Sequence, residues 1–288
     1  MSRLYEALSN LEMEHRPPRG ALPEPVQARE LPSKVSPRWA EIEGTRSVTM
    51  QPGLASHLVA VTDSNSLGAE KFRVLAVRLD HIRKQRQFKS LQVTSSVVNE
   101  GKTLVSANLA VTLAKCACSR TLLIEGDLHR PALASLFGLR ELRGLSHWWS
   151  ASDQDIGCFL QRLNDMPLCF LAAGKAHDQP SDILHSERFA EAFKRLVGQF
   201  DWIVVDSPPM LPIVDVNLWS RLVDGTLLVV RAGLAPVKVL KRGLQALDHP
   251  KLVGVVLNEA AEVDQVKYEG QYYGGNRKFG VVTQDSPR

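Results

Sequence analysis

Cysteine is scarce in this chain. Its 288 residues hold four, Cys116, Cys118, Cys158 and Cys169, at no spacing that suits zinc or a redox pair. A disulfide framework is therefore not what organises the fold, and reduced, mostly buried thiols in a cytoplasmic protein are expected. Long apolar runs are lacking too. None reaches the roughly 18 residues that a membrane-spanning helix needs, so no span of its own is expected. The first residues carry no apolar stretch of the signal-peptide kind. Nor does one sign of charge dominate: 35 Lys and Arg face 31 Asp and Glu, for a net charge of +4 and a pI near 8.9. That mild excess does not point to nucleic acid, and no nucleic-acid partner is expected. Tyrosine is sparse, with four in all, yet three of them, Tyr268, Tyr272 and Tyr273, crowd near the C-terminus.

What is present is ordinary globular material, 44% hydrophobic and 23% charged, enough for one sizeable core plus tails. Residues 1–14 place Leu4, Leu8 and Leu11 at helical spacing, either a frayed terminal helix or a docking helix for a partner. Residues 15–55 read as a linker, because six prolines fall between Pro17 and Pro37 amid Arg, Glu and Ser. Residues 56–262 read as one domain, and residues 263–288 as a flexible tyrosine-bearing tail.

Within the domain, one stretch sets the register for the rest. Leu91-Gln92-Val93 reads as a strand, and Leu104 to Val111 as a helix. Between them lies Ser95-Ser96-Val97-Val98-Asn99-Glu100-Gly101-Lys102-Thr103. A strand, a tight loop and a helix opening on Gly-Lys-Thr describe a phosphate-binding loop. Backbone N–H groups and the helix N-terminus present positive potential to phosphate oxygens. Lys102 can reach the β- and γ-phosphates, and the Thr103 hydroxyl can ligate Mg²⁺. Ser96 stands where the usual pattern has its first glycine. The competing reading is a Gly-Lys-Thr turn that binds nothing.

Two more apolar runs end in carboxylates: Thr121 to Asp127, through Glu125, and Trp202 to Asp206. Further strands are expected at 168–171, 225–230 and 252–257. Helical runs fall around 68–86, 186–197, 214–222 and 237–247, and Pro131 reads as the start of a short helix reaching Phe137. Alternating strands and helices predict an α/β fold, with a mostly parallel central sheet flanked by helices, of the P-loop NTPase type. Such sheets bind ligands at their C-terminal strand ends, where Ser96, Asp127 and Asp206 would converge. Magnesium takes oxygen ligands and keeps several waters, which a Thr103 hydroxyl and the carboxylates of Asp127 and Asp206 can satisfy.

These residues resemble a known family, the bacterial tyrosine kinases, autokinases that regulate capsule and exopolysaccharide export. Ser95 to Thr103 is similar to the family loop S-S-x-x-P-G-E-G-K-T. Leu122 to Pro131, with Phe137-Gly138-Leu139 beyond, resembles an apolar run followed by D-x-D-x-R-R-P. Asp201 to Pro209, with Asp215 following, resembles D-x-V-I-I-D-T-P-P. Pro180 to Leu184, with Ser186 to Phe189, is similar to P-S-E-L-L…S-x-x-F, and the resemblance covers roughly residues 65–260. It implies ATP and Mg²⁺ as cofactors. The implied nucleotide contacts are Ser96, Asn99, Glu100, Gly101, Lys102, Thr103 and Leu104, with Arg231 and Asn258. Catalysis would fall to Lys102, Glu125, Asp127 and Asp206, and the metal to Thr103, Asp127 and Asp206. Autophosphorylation would fall on Tyr268, Tyr272 and Tyr273. The implied partner is a transmembrane polysaccharide co-polymerase, which would recruit the chain to the inner face of the cell membrane.

The sequence also departs from the family pattern. Val98-Asn99 replaces Pro-Gly in the loop, and asparagine tolerates the left-handed conformation that a glycine would supply. Glu125 replaces the first aspartate of the second motif, and His129 its first arginine. The assembly helix keeps Glu70 and Arg73 but has Ala76 where an arginine would complete the pattern, which bears on self-association. Val97 stands where related partitioning ATPases carry a second lysine. Three readings stay open at this point: a tyrosine autokinase, a non-kinase ATPase switch of the same fold, and a nucleotide-binding pseudokinase scaffold.

Overall fold

The computed structural model describes residues 45–53, 57–116, 119–140, 142–164, 166–175, 180–211, 215–246 and 249–260. The chain divides into two units, Met1–Asn258 and Glu259–Arg288, and everything described below lies in the first. The expected terminal helix at 1–14 and the tail at 263–288 lie outside the described residues.

Eight strands form one sheet: β1 (Arg46–Val48), β2 (Ser90–Ser95), β3 (Thr121–Glu125), β4 (Gln161–Leu163), β5 (Leu168–Leu171), β6 (Trp202–Asp206), β7 (Gly225–Arg231) and β8 (Leu252–Asn258). Their order is β1-β4-β5-β3-β6-β2-β7-β8, and every neighbouring pair is parallel except β4 with β5. The parallel core follows from the sequence. β2, β3 and β6 are buried along their whole length, as a sheet covered on both faces requires.

The helices are α1 (Val59–Thr62), α2 (Leu67–Arg86), α3 (Lys102–Cys116), α4 (Leu133–Leu136), α5 (Leu145–Ser150), α6 (Pro180–His185), α7 (Glu187–Gln199), α8 (Asp215–Leu222) and α9 (Val237–Ala246). Alternation along each strand sends its side chains to opposite faces. Leu123, Val204, Leu91, Val93 and Val229 join α3 and the inner face of α2 in one core. Leu122, Ile124, Ile203 and Val205 join α7 and α8 in the other. Helix α3 is buried on all sides from Val105 to Ala114, held between the sheet and α2. Ala76 of α2 is itself part of the first core, so the position where an arginine would complete the assembly pattern faces inward. Glu70 and Arg73 form an exposed ion pair one turn earlier.

Two expectations need correction. The linker reading ran to residue 55, but Arg46–Val48 is an edge strand paired with Gln161–Leu163, and Met50 N–H donates to Asn164 Oδ1 at 2.8 Å. The proline cluster of 17–37 stops short of this strand, and Val48 and Met50 face the core. The short helix after Pro131 begins only at Leu133. The irregular stretch 138–166 contains α5, a 3₁₀ turn at Ile156–Phe159 and β4. Strand β4 is three residues long, two of them polar, and too short for any period to show.

Trp219 of α8 locks one helix layer to the strand that carries the acids. It is fully buried, meets Phe189 edge-on at 5.6 Å, and donates from Nε1 to Gly126 O at 3.0 Å. Gly126 is obligatory there, since a Cβ would stand 2.7 Å from Val205 Cγ1 and 2.9 Å from the indole. Trp219→Ala should therefore cost about 3–5 kcal/mol through the cavity and the lost packing. Urea unfolding of variant and wild type measures it; a loss under about 1 kcal/mol would mean that α8 packs independently of this ring.

Candidate active site

The phosphate loop adopts its shape without the first glycine of the common pattern. Asn99 takes a left-handed φ of 65° and Gly101 a φ of 91°. A Cβ on Gly101 would collide with Asn258 Nδ2. The Glu100 carboxylate is buried within the loop and braces it. One oxygen accepts from Ser96 Oγ at 2.8 Å and from Val97 N–H at 2.9 Å, and the other from Arg231 N–H at 3.3 Å. Asn258 Nδ2 donates to the Glu100 carbonyl at 2.9 Å. The hydroxyl of Ser96, at the first-glycine position, thus has a purpose: it closes the loop on Glu100. Arg231 and Asn258 reach the loop from the ends of β7 and β8, Arg231 through its amide on Glu100 and its guanidinium 3.5 Å from the Asn99 carbonyl, Asn258 through the Glu100 carbonyl. Leu104, one turn into α3, packs against the core.

Lys102 opens α3, and its ammonium lies between two strand-end carboxylates. Nζ stands 2.9 Å from Asp127 Oδ2, 3.6 Å from Asp206 Oδ1 and 3.4 Å from Thr103 Oγ1. Sequence reasoning expected Ser96, Asp127 and Asp206 to converge; the two aspartates meet at Lys102, whereas Ser96 turns its hydroxyl to Glu100 within the loop. That reasoning missed Ser106, whose hydroxyl donates to Lys102 O at 2.8 Å and lies 3.3 Å from Asp206 Oδ1. Its position one helical turn after Lys102 was the available signal. Asp127 Oδ1 accepts from Arg130 N–H at 3.0 Å, which turns the chain away from the site after the strand.

Burial lifts the Asp206 carboxyl to about 6, helped by the charges of Asp127 and Glu125. The Lys102 charge works against this, as does the Thr103 hydroxyl. Asp206 Oδ2 is buried with no hydrogen-bond partner. Among the described residues no group of three or more His, Cys, Asp and Glu side chains could hold a metal alone. Two carboxylates, one with a buried oxygen to spare, and a hydroxyl nonetheless suit Mg²⁺, which retains water in most of its positions.

Glu125, expected among the catalytic residues, is held by backbone amides. Its register partner across the sheet is Asp206, so it sits in the acidic cluster. Both of its oxygens are occupied: Oε1 accepts from Ala134 N–H at 3.2 Å and Oε2 from Ala173 N–H at 2.9 Å. Burial raises its pKa, opposed by these amides. The extra methylene over aspartate lets one carboxylate bridge the start of α4 and the chain beyond β5.

Three more motifs meet beside this cluster. His129 Nε2 lies 2.9 Å from Asp215 Oδ2, an ion pair whenever the imidazole is protonated. Ser181 Oγ donates to the other oxygen of the same buried carboxylate. The departure at His129 therefore still supplies a partner for Asp215. Tyr268, Tyr272 and Tyr273 lie outside the described residues.

No protein-family model matches the chain. It is 28% identical over 228 residues to the tyrosine-protein kinase YwqD of Bacillus subtilis (strain 168), covering 77% of this chain and 93% of that protein. It is 33% identical over 213 residues to CapB of Staphylococcus aureus, assigned by name as a tyrosine-protein kinase, covering 72% and 90%. It is 30% identical over 233 residues to the succinoglycan biosynthesis transport protein ExoP of Rhizobium meliloti (strain 1021), but covers only 28% of that longer protein. Among solved structures, the chimerical protein CapA2B2 superposes with a TM-score of 0.65 at 26% identity, over 77% of this chain and 96% of that one. The septum site-determining protein MinD of Pyrococcus horikoshii OT3, solved with Mg-ADP, shares the fold at a TM-score of 0.51 and 20% identity, over 62% and 72%.

Two outcomes follow from the carboxylates. Glu125→Asp cannot span both amides, so it should destabilise the fold by about 1–3 kcal/mol and slow phosphotransfer. Unfolding curves and a phosphorylation assay test this; a faster variant would show that glutamate misplaces the charge. Asp206 has a folded pKa of about 6, above its ordinary 3.8. Its contribution to stability is therefore full below about pH 4 and lost as pH rises through about 6. Asp206→Asn should lack this step. Stability curves of variant and wild type should draw together in acid and part above pH 6, with the variant higher, as read by urea unfolding across that range.

Proposed function

We propose that this chain, which belongs to the bacterial tyrosine-protein kinases, transfers the γ-phosphoryl group of ATP to tyrosines of its own tail and thereby regulates capsule or exopolysaccharide synthesis and export. The observation that carries the reading is the placement of Lys102 between Asp127 and Asp206, at the mouth of a phosphate loop preformed by Glu100, Gly101 and Asn258. In transfer, the phenol oxygen bonds to the γ-phosphorus as the bond to the β-bridging oxygen breaks, ADP leaves, and the phenol proton passes to solvent or a nearby carboxylate. The transition state is loose, so positioning and charge matter more than a strong base. That agrees with a Glu125 committed to backbone amides.

The loop amides and Lys102 hold and neutralise the transferring group. Thr103, Asp127 and Asp206 would hold Mg²⁺, which when bound supplies charge stabilisation at the phosphate oxygens. Ser106 and the Arg130 amide orient the two aspartates.

The target is the cluster Tyr268, Tyr272 and Tyr273, in a glycine-rich segment whose composition suits entry into another subunit's site. Among the described residues no helix is long and apolar enough to cross a membrane. ExoP is several times the length this chain matches. Both facts favour a separate partner, a transmembrane polysaccharide co-polymerase, that brings the chain to the inner face of the membrane.

The test incubates the purified chain with ATP and Mg²⁺, with and without a cytoplasmic fragment of such a partner, and maps phosphotyrosine by mass spectrometry. Phosphate on the tail tyrosines is expected. ATP hydrolysis without it would leave an ATPase switch. Transfer should run between subunits. The tail tyrosines begin about ten residues beyond Asn258, a reach of at most ~35 Å for an extended chain. When a Lys102→Met chain with intact tail is mixed with an active chain whose tail tyrosines are Phe, the Lys102→Met tail should become labelled. Labelling confined to unmixed wild type, at a rate independent of concentration, would refute transfer in trans.

A further inference from the structure

We propose that Lys102 is the resident counter-ion of the acidic site, holding the carboxylates that a divalent cation would use, so that metal and nucleotide bind as a coupled pair. The inference rests on the nucleotide reading above and adds to it a second role for the lysine.

The geometry is specific. Lys102 Nζ lies within 2.9 Å of Asp127 Oδ2 and 3.6 Å of Asp206 Oδ1, with 12%, 6% and 1% of the three side chains exposed. Glu125, a third carboxylate, lies opposite Asp206 in the sheet, but its oxygens are taken by the Ala134 and Ala173 amides. Asp127 otherwise accepts only the N–H of Arg130, and the Ser106 hydroxyl 3.3 Å from Asp206 has its one proton 2.8 Å from the Lys102 carbonyl, so both aspartates lean on the ammonium. A divalent cation approaching these two carboxylates meets a positive charge within ion-pair distance of both. In a site this buried that repulsion is weakly screened.

The converse holds for the nucleotide. A polyphosphate arriving alone at the loop draws Lys102 toward itself and leaves two buried carboxylates facing a further negative charge. Arriving together, cation and polyphosphate resolve both conflicts. The cation takes the carboxylates, and Lys102 swings its flexible stem to the phosphates. By linkage, the factor by which metal tightens nucleotide binding equals the factor by which nucleotide tightens metal binding.

The experiment titrates Mn²⁺ against the full chain without nucleotide, by electron paramagnetic resonance, in wild type, Lys102→Met and Lys102→Arg. Lys102→Met should bind Mn²⁺ at least about tenfold more tightly than wild type, the size typical of a coupling between sites. Lys102→Arg, which keeps the charge, should bind no more tightly than wild type. Equal Mn²⁺ affinity in wild type and Lys102→Met would overturn the proposal. Removing the lysine could itself unfold the chain, so melting is followed in parallel. Folding of Lys102→Met on addition of millimolar Mn²⁺ supports the proposal, and failure to fold even then overturns it. A separate arm adds ADP with Mn²⁺ to wild type. If that leaves the melting temperature unmoved, the nucleotide reading fails, whereas the Mn²⁺ titrations of the variants judge the counter-ion role by themselves.

Discussion

A single ammonium facing two buried carboxylates is the interaction on which the site depends. Lys102 can lie between Asp127 and Asp206 only because three elements end at one edge of the sheet. Strand β3 passes Glu125 and Gly126 to reach Asp127, β6 ends on Asp206, and α3 starts at the lysine itself. The register that sets Glu125 opposite Asp206 fixes the height of the acids. The packing of Trp219 under Gly126 fixes the bend that brings Asp127 over the lysine. A shift of any of these leaves charges buried and unpaired, the costliest error a core can contain.

Apart from Asp215, the buried acids divide by what holds them. Glu100 and Glu125 are satisfied by amides and a hydroxyl of their own surroundings, and so act as braces, one for the loop and one for the turn into α4. Asp127 and Asp206 lean on the Lys102 ammonium and keep capacity for more, including a buried oxygen of Asp206 with no partner. Structure and chemistry are thereby assigned to different carboxylates within one cluster. The longer side chain serves bracing, because a glutamate can reach a neighbouring segment's backbone. The shorter one serves chemistry, because an aspartate keeps its charge close to the strand end that positions it.

The loop shows how a departure from a pattern is absorbed. Ser96 and Asn99 replace glycines, yet the backbone takes the needed turn. Asparagine accepts a left-handed φ, and the serine hydroxyl finds Glu100 four residues on. Asn258, far along the chain, presses on Gly101 and carries the Glu100 carbonyl. No local sequence rule would have linked it to the loop.

Much of this was legible in the residues alone. Hydrophobic runs ending in carboxylates, spaced by helical periods, determined a mostly parallel sheet with Lys102, Thr103, Asp127 and Asp206 at one edge. Both the strand period and the side of a parallel sheet on which chains turn are local consequences of backbone geometry. What the sequence did not determine depends on contacts between distant segments. Strands β1 and β4 are three residues each and exist because they pair with each other and with β5. Glu125 became a brace because the Ala134 and Ala173 amides come within its reach, and Ser106 joined the site because α3 turns that face to β6. Whether a buried carboxylate is a brace or a reactive group turns on the donors that tertiary packing brings to it, and no spacing along the chain records those.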